Sequence, residues 1–129
     1  MSDIPETPSK VPKPFKETYT FDERKTHSSN IRVKYPDRLP IVMQRSMNDK
    51  ILGEMDKVKY LVPGELTITQ FMAILRKRLS VNQSTSIYLY NPDHKIIISG
   101  TNSIDHLYNK YKNDDGFLYI EYCGENVFG

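Results

Sequence analysis

Apolar positions recur at two different spacings along this chain, and each change of spacing marks the border of an element. The runs LPIVMQR (39–45) and VKYLVP (58–63) are dense in β-branched and aromatic residues between polar or turn-prone flanks, which predicts two strands. In ELTITQFMAILRKRLSV, Phe71, Ile74, Leu75 and Leu79 fall at the i, i+3, i+4, i+8 spacing of one helical face. Thr67 stands where that helix needs a cap. SIYLY (86–90) alternates like a strand, and KIIIS (95–99) reads as another after the turn NPD. SIDHLYNKY (103–111) predicts a short helix capped by Ser103, NDDG ends it, and GFLYIEY (116–122) predicts the last strand.

Upstream the pattern changes. Residues 15–35 are charged, with apolar residues at Phe15, Tyr19, Phe21, Ile31 and Val33. Thr20 followed by Asp22 and Glu23 predicts a capped helix start, so one or two short helices are expected before YPDR stops them. Pro5, Pro8, Pro12 and Pro14 crowd residues 1–14, where missing backbone donors predict an extended, mobile arm.

The element order is strand, strand, helix, strand, short strand, short helix, strand. It predicts an α+β roll in which two hairpins flank one amphipathic helix. The last strand is apolar enough to lie beside the first and be buried on both faces. This is the β-grasp arrangement of ubiquitin, expected here as a mixed four-stranded sheet over residues 36–122 with extra N-terminal helices. In that arrangement the carboxyl terminus leaves the sheet at one end, so 123–129 are expected as a projecting tail.

Composition narrows the chemistry. A chain of 129 residues, 38% hydrophobic and 26% charged, fits one soluble domain. No apolar stretch is long enough to span a bilayer, and MSDIPETPSK lacks the apolar core of a signal peptide. A single cysteine, Cys123, excludes an internal disulfide and suits a reducing cytosol. A net charge of +2 gives no ground for a nucleic-acid partner. His27, His94, His106 and Cys123 have no metal-ligand spacing, and no glycine-rich phosphate loop is present, so no metal, cofactor or catalytic centre is expected.

Four stretches carry a resemblance: IRVKYPDRLPIV (31–42), DKVKYLVPGELTITQF (56–71), LRKRL (75–79) and GFLYIEYCGENVFG (116–129). Together they resemble the ubiquitin-like modifiers of autophagy, of the GABARAP and microtubule-associated light-chain type. The resemblance implies that Gly129 is an acyl donor. An activating enzyme would adenylate its carboxylate, a conjugating enzyme would carry it as a thioester, and phosphatidylethanolamine would receive it as an amide. Phe128 is the tail residue the enzymes would grip. A cysteine protease would process or reverse the conjugate, and the protein would move between cytoplasm and autophagosome membrane.

The resemblance also implies a groove for receptor segments with an aromatic residue, two intervening positions and an aliphatic residue. Its aromatic pocket would comprise Ile31, Pro40, Val42, Lys59, Leu61 and Phe117. Its aliphatic pocket would comprise Tyr60, Val62, Pro63, Leu66, Phe71 and Ile74. Arg38, Lys57, Lys59 and Arg78 would attract acidic residues beside the bound segment. Two departures from the family pattern stand out: His27 where relatives carry an acid, and Gly116 where an aromatic often precedes Phe117. Two other functions remain open from the residues: a non-conjugated adaptor in vesicle trafficking or on microtubules, and a tag placed on protein lysines.

Overall fold

The computed structural model describes residues 13–124. The first twelve residues of the arm, and the tail positions that include Phe128 and Gly129, lie outside the described residues. Two helices come first, α1 (Phe15–Thr18) and α2 (Phe21–Lys34), followed by strands β1 (Arg38–Arg45) and β2 (Lys59–Pro63). Then come α3 (Ile68–Leu79), β3 (Tyr88–Asn91), β4 (Ile96–Ile98), α4 (Ile104–Tyr111) and β5 (Leu118–Cys123).

Helix starts follow local chemistry. Thr20 accepts a hydrogen bond from the Glu23 amide at 3.1 Å, and the Glu23 carboxylate accepts from the Thr20 amide at 2.8 Å, closing a capping box. Thr67 and Gln70 repeat the device at α3, and Ser103 caps α4 by accepting from the His106 amide. Each cap satisfies amides that the first turn leaves without intrahelical partners.

The sheet is mixed, in the order β2-β1-β5-β3-β4. β1 and β5 run parallel, Ile41 opposite Leu118, while the β1–β2, β3–β5 and β3–β4 pairs are antiparallel. The expected four strands are thus five. Lys95 turns the chain at φ +56°, Ile96–Ile98 then pair with Leu89–Asn91, and Ile98 gains a core position at 5% exposure. Burial of that one side chain gives a three-residue strand reason to join the edge.

Because side chains alternate across a strand, the two sheet faces have separate cores. Leu39, Ile41, Met43, Leu118, Ile120 and Tyr122 point to one face and pack with Ile68, Phe71 and Leu75 of α3 and with Ile104, Leu107 and Tyr108 of α4. Val42, Phe117 and Tyr119 point to the other and pack with Phe15, Tyr19 and Ile31 of the N-terminal segment. β5 is therefore covered on both sides, as its apolar sequence, interrupted only by the half-buried Glu121, predicts.

One buried ionic network joins α2 to the turn before β5. The Asp115 carboxylate is fully buried, pairs with Arg24, and accepts from the Tyr119 hydroxyl at 2.5 Å and the Phe117 amide at 2.8 Å. Ser28 donates to the Asp115 carbonyl at 2.5 Å. Burial, with the hydrogen bond to Asp115 behind it, pushes the Tyr119 phenol far above its ordinary value.

Candidate peptide-binding groove

β2 is an outermost strand of the sheet, and its pairing decides which backbone groups remain open. The Met43 amide donates to the Val58 carbonyl at 2.8 Å. With Val42 opposite Lys59 and Ile41 opposite Tyr60, antiparallel alternation makes Tyr60 and Val62 spend their backbone groups on β1. Lys59 and Leu61 turn theirs outward. The segment can thus add a further strand through two residues whose side chains share one face.

On the α3 side of β2 lies a cleft of ≈ 390 Å³. Tyr60, Val62, Pro63, Leu66, Phe71 and Ile74, the six residues expected to form an aliphatic pocket, all line it. Each element contributes for a local reason. Val62 and Tyr60 are the inward positions of β2, Leu66 lies in the connection that Pro63 begins, and Phe71 and Ile74 are one turn apart on α3. Ile74 stays 43% exposed although it lies on the apolar face of α3, so the helix offers a large aliphatic group to the cleft.

Met43, Met55 and Leu75, none of them among the expected groove residues, also line the cleft. They read as ordinary core, and nothing in their spacing marks them as cavity residues. Two thioethers in a pocket wall allow it to adapt to different aliphatic shapes. The Tyr60 hydroxyl donates to the Lys57 carbonyl at 3.0 Å and lies 3.8 Å from the Met55 sulfur, which fixes the ring at one end of the cleft. Burial, together with the charge of Asp56, raises the Tyr60 phenol above its ordinary value, so it stays a neutral donor.

Arg38 and Arg78 border this cleft, and the Arg78 guanidinium lies over the Tyr60 ring at 5.3 Å. Of the RKR triplet at 76–78, Arg76 bonds to the Asn82 and Thr85 carbonyls and holds the loop after α3, leaving Arg78 to the cleft. Lys57 and Lys59 lie elsewhere. With Lys13, Thr18, Tyr19 and Val58 they ring a second depression of ≈ 430 Å³. The four expected cations therefore spread along β2 rather than cluster at one pocket.

The expected aromatic pocket is more closed. Pro40 opposite Leu61 and Val42 opposite Lys59 place four of its residues on the outer face, and Ile31 of α2 packs against the cluster that holds Val42 and Phe117. Pro40, Val42 and Phe117 are nevertheless fully buried, while Leu61 and Ile31 are half-buried and Lys59 is exposed. Phe15 of α1 is the reason. Its ring meets Phe117 edge-on at 5.0 Å, and its amide donates to the Gln44 side chain at 2.8 Å. A lone phenylalanine after a proline-rich stretch carries no local sign of this role.

His27 lies beside Tyr19, ring centroids 5.6 Å apart, and its Nδ1 is buried without a hydrogen-bond partner among the described residues. Gly116 has φ +90°, and a Cβ there would collide with the Ser28 hydroxyl. The departure from an aromatic at that position therefore has a backbone cause.

With this geometry in place, known proteins supply a comparison. A family model described as autophagy protein Atg8, ubiquitin-like, matches residues 23–129. Autophagy-related protein 8 of Schizosaccharomyces pombe is 39% identical over 115 residues, 89% of this chain and 93% of the relative. Microtubule-associated protein 1 light chain 3 gamma of Homo sapiens is 36% identical over 124 residues, 95% and 84% respectively. The crystal structure of Trypanosoma brucei ATG8 superposes with a TM-score of 0.80 at 36% identity, covering 92% of this chain and 99% of that one.

Proposed function

The chain belongs to the Atg8 family of ubiquitin-like autophagy proteins, and on that premise we propose that it is a modifier joined through Gly129 to phosphatidylethanolamine. In the reaction, ATP activates the Gly129 carboxylate as an acyl adenylate with loss of pyrophosphate. A cysteine thiolate of the activating enzyme displaces AMP, the thioester passes to a cysteine of the conjugating enzyme, and the lipid amine takes the acyl group with release of that thiol. Glycine suits the task because no Cβ hinders the carbonyl, and its backbone can follow a narrow enzyme channel. Phe128 gives the enzymes an aromatic handle. The catalytic groups all belong to the partners, and a cysteine protease reverses the bond.

No helix among the described residues is long and apolar enough to cross a membrane. Conjugation supplies an anchor of another kind: two acyl chains hold stably, at about 0.8 kcal/mol per buried CH₂, where one chain is marginal. The modifier then moves from cytoplasm to the autophagosome membrane.

At that membrane the groove recruits cargo receptors. A receptor segment adds as a strand at Lys59 and Leu61, and its aliphatic side chain enters the cleft beside β2. Its aromatic side chain settles on the outer face against Ile31 and Leu61. Acidic neighbours meet Arg38, Lys57, Lys59 and Arg78. The observation that carries this reading is the open edge of β2 running beside a cleft where six apolar side chains converge.

Reconstitution with activating and conjugating enzymes, ATP and liposomes containing phosphatidylethanolamine tests the conjugation. A faster-migrating, membrane-bound product is expected, and Gly129→Ala abolishes it. A chain that stays unconjugated with active enzymes would instead fit the adaptor reading in vesicle trafficking. Calorimetry with a receptor peptide tests the groove separately: Tyr60→Ala and Leu61→Ala should each lose binding while circular dichroism stays unchanged.

A further inference from the structure

Both ladders that hold β5 stop short of Gly124. The β1 register ends at Arg45 opposite Tyr122, and the β3 register ends at Tyr88 opposite Cys123. The next amide is held by a side chain. The Asp49 carboxylate, in the connection between β1 and β2, accepts from the Gly124 amide at 2.8 Å.

That carboxylate is saturated. The same oxygen accepts from the Ile51 amide at 3.2 Å, and the other accepts from the Leu52 amide at 2.9 Å and from Arg45 Nε at 2.8 Å. The side chain is fully buried. Three of these donors are local and shape the loop; the Gly124 bond adds nothing to the loop and joins it to a residue 75 positions away.

Gly124 fits this contact through its lack of a side chain. A Cβ there would lie 2.6 Å from Ile51 Cβ and 2.7 Å from its Cγ2. The same loop holds the end of β5 from the other side: the Tyr122 hydroxyl donates to the Gly53 carbonyl at 3.0 Å, and the Ser46 amide donates to the Tyr122 carbonyl at 2.8 Å. Loop and strand end form one unit, and the Asp49 carboxylate is its contact with Gly124, the last described residue.

We propose that Asp49 is a positioning residue for acyl transfer: by clamping the Gly124 amide it fixes, relative to the domain, the residue five positions before Gly129. The role rests on the acyl-donor reading of Gly129 given above. Asp49 touches neither lipid nor thioester. It acts by holding residue 124 in one place on the domain that the enzymes recognise, so its contribution falls on capture of the substrate rather than on the chemical step.

The test uses the full chain, purified activating and conjugating enzymes, and phosphatidylethanolamine liposomes, comparing the parent with Asp49→Asn. The amide variant keeps the shape but turns a donor toward the other donors. Exchange of the Gly124 amide should quicken by about tenfold while that of Ile120 holds, as for loss of one charge-assisted hydrogen bond at a local opening. KM for the modifier should rise by about three- to tenfold with kcat nearly constant. Affinity for a receptor peptide should not change.

Gly124→Ala provides an independent route should Asp49→Asn fail to fold. It should raise KM in the same way, and adding Ile51→Gly, which removes the two closest atoms and leaves only Leu52 Cγ at 3.1 Å, should restore part of the loss. Faster Gly124 exchange with an unchanged KM overturns the proposal, and so does an absence of rescue. A parent protein that forms no conjugate overturns the acyl-donor reading first, and is told apart from loss of the clamp alone by the parent control.

Discussion

Gly116 shows how a single position can be fixed by a distant neighbour. Its φ of +90° and its contact with Ser28 both exclude a side chain. Gly116→Ala should cost about 1–3 kcal/mol in urea unfolding. Adding Ser28→Ala should not recover that loss, because the backbone strain remains and the Ser28 bond to the Asp115 carbonyl goes with it. The sequence marks Gly116 only as a departure from an aromatic; its cause lies in α2, beyond the reach of any local pattern. Two carboxylates have opposite pH behaviour. Burial alone would raise the Asp49 carboxyl, but the Arg45 hydrogen bond and the amides of Gly124, Ile51 and Leu52 outweigh it and hold it below its ordinary 3.8. Its stabilisation is complete above that value and is lost as pH falls through the lower folded one. Burial raises Glu121 above its ordinary 4.5, so its cost is present at neutral pH and relieved as pH falls. Urea midpoints measured between about pH 6 and about pH 3 should therefore show the deficit of Asp49→Asn shrinking, and any gain from Glu121→Gln shrinking too.

At the scale of elements, what sequence reading captured was local. The caps at Thr20, Thr67 and Ser103, the apolar face of α3 and the burial of β5 on both sides each depend on residues a few positions apart. The convergence of the six cleft residues was reached through family resemblance, since periodicity alone sorts Phe71 and Leu75 into core and says nothing of a cavity. What escaped was the seating of α1. Four residues cannot hold a helix by propensity, so α1 depends on Phe15 against Phe117, and on Lys16, which pairs with Asp93 at 2.7 Å and lies over the Tyr119 ring. Phe15→Ala should lower stability by about 3 kcal/mol, near the lower end for a buried phenylalanine, measured by thermal unfolding. The variant would also uncover Val42 and Phe117, so a peptide with a bulkier aromatic should bind it relatively better than it binds the parent.

For the molecule as a whole, strand order matters more than any one contact. β5 reaches its central place only by pairing with β1 across most of the chain, Ile41 with Leu118, so both cores close late in folding. The cations along β2 act at this scale as well. Stopped-flow association with an acidic receptor peptide should slow as salt rises, while dissociation changes little, because exposed charges steer approach more than they hold the complex. Replacing Arg38 and Lys59 together with glutamine should flatten that salt dependence.

The register of β1 has a spatial corollary. β2 pairs with its first half, Arg38 to Val42, while Tyr122 stands opposite Arg45 at its far end. At about 3.3 Å per residue, the strand sets the β2 edge between about 10 and about 23 Å back from the level of Tyr122. Under the proposed function, β1 is then a standoff that keeps a segment docked on β2 away from the strand end that leads toward Gly129.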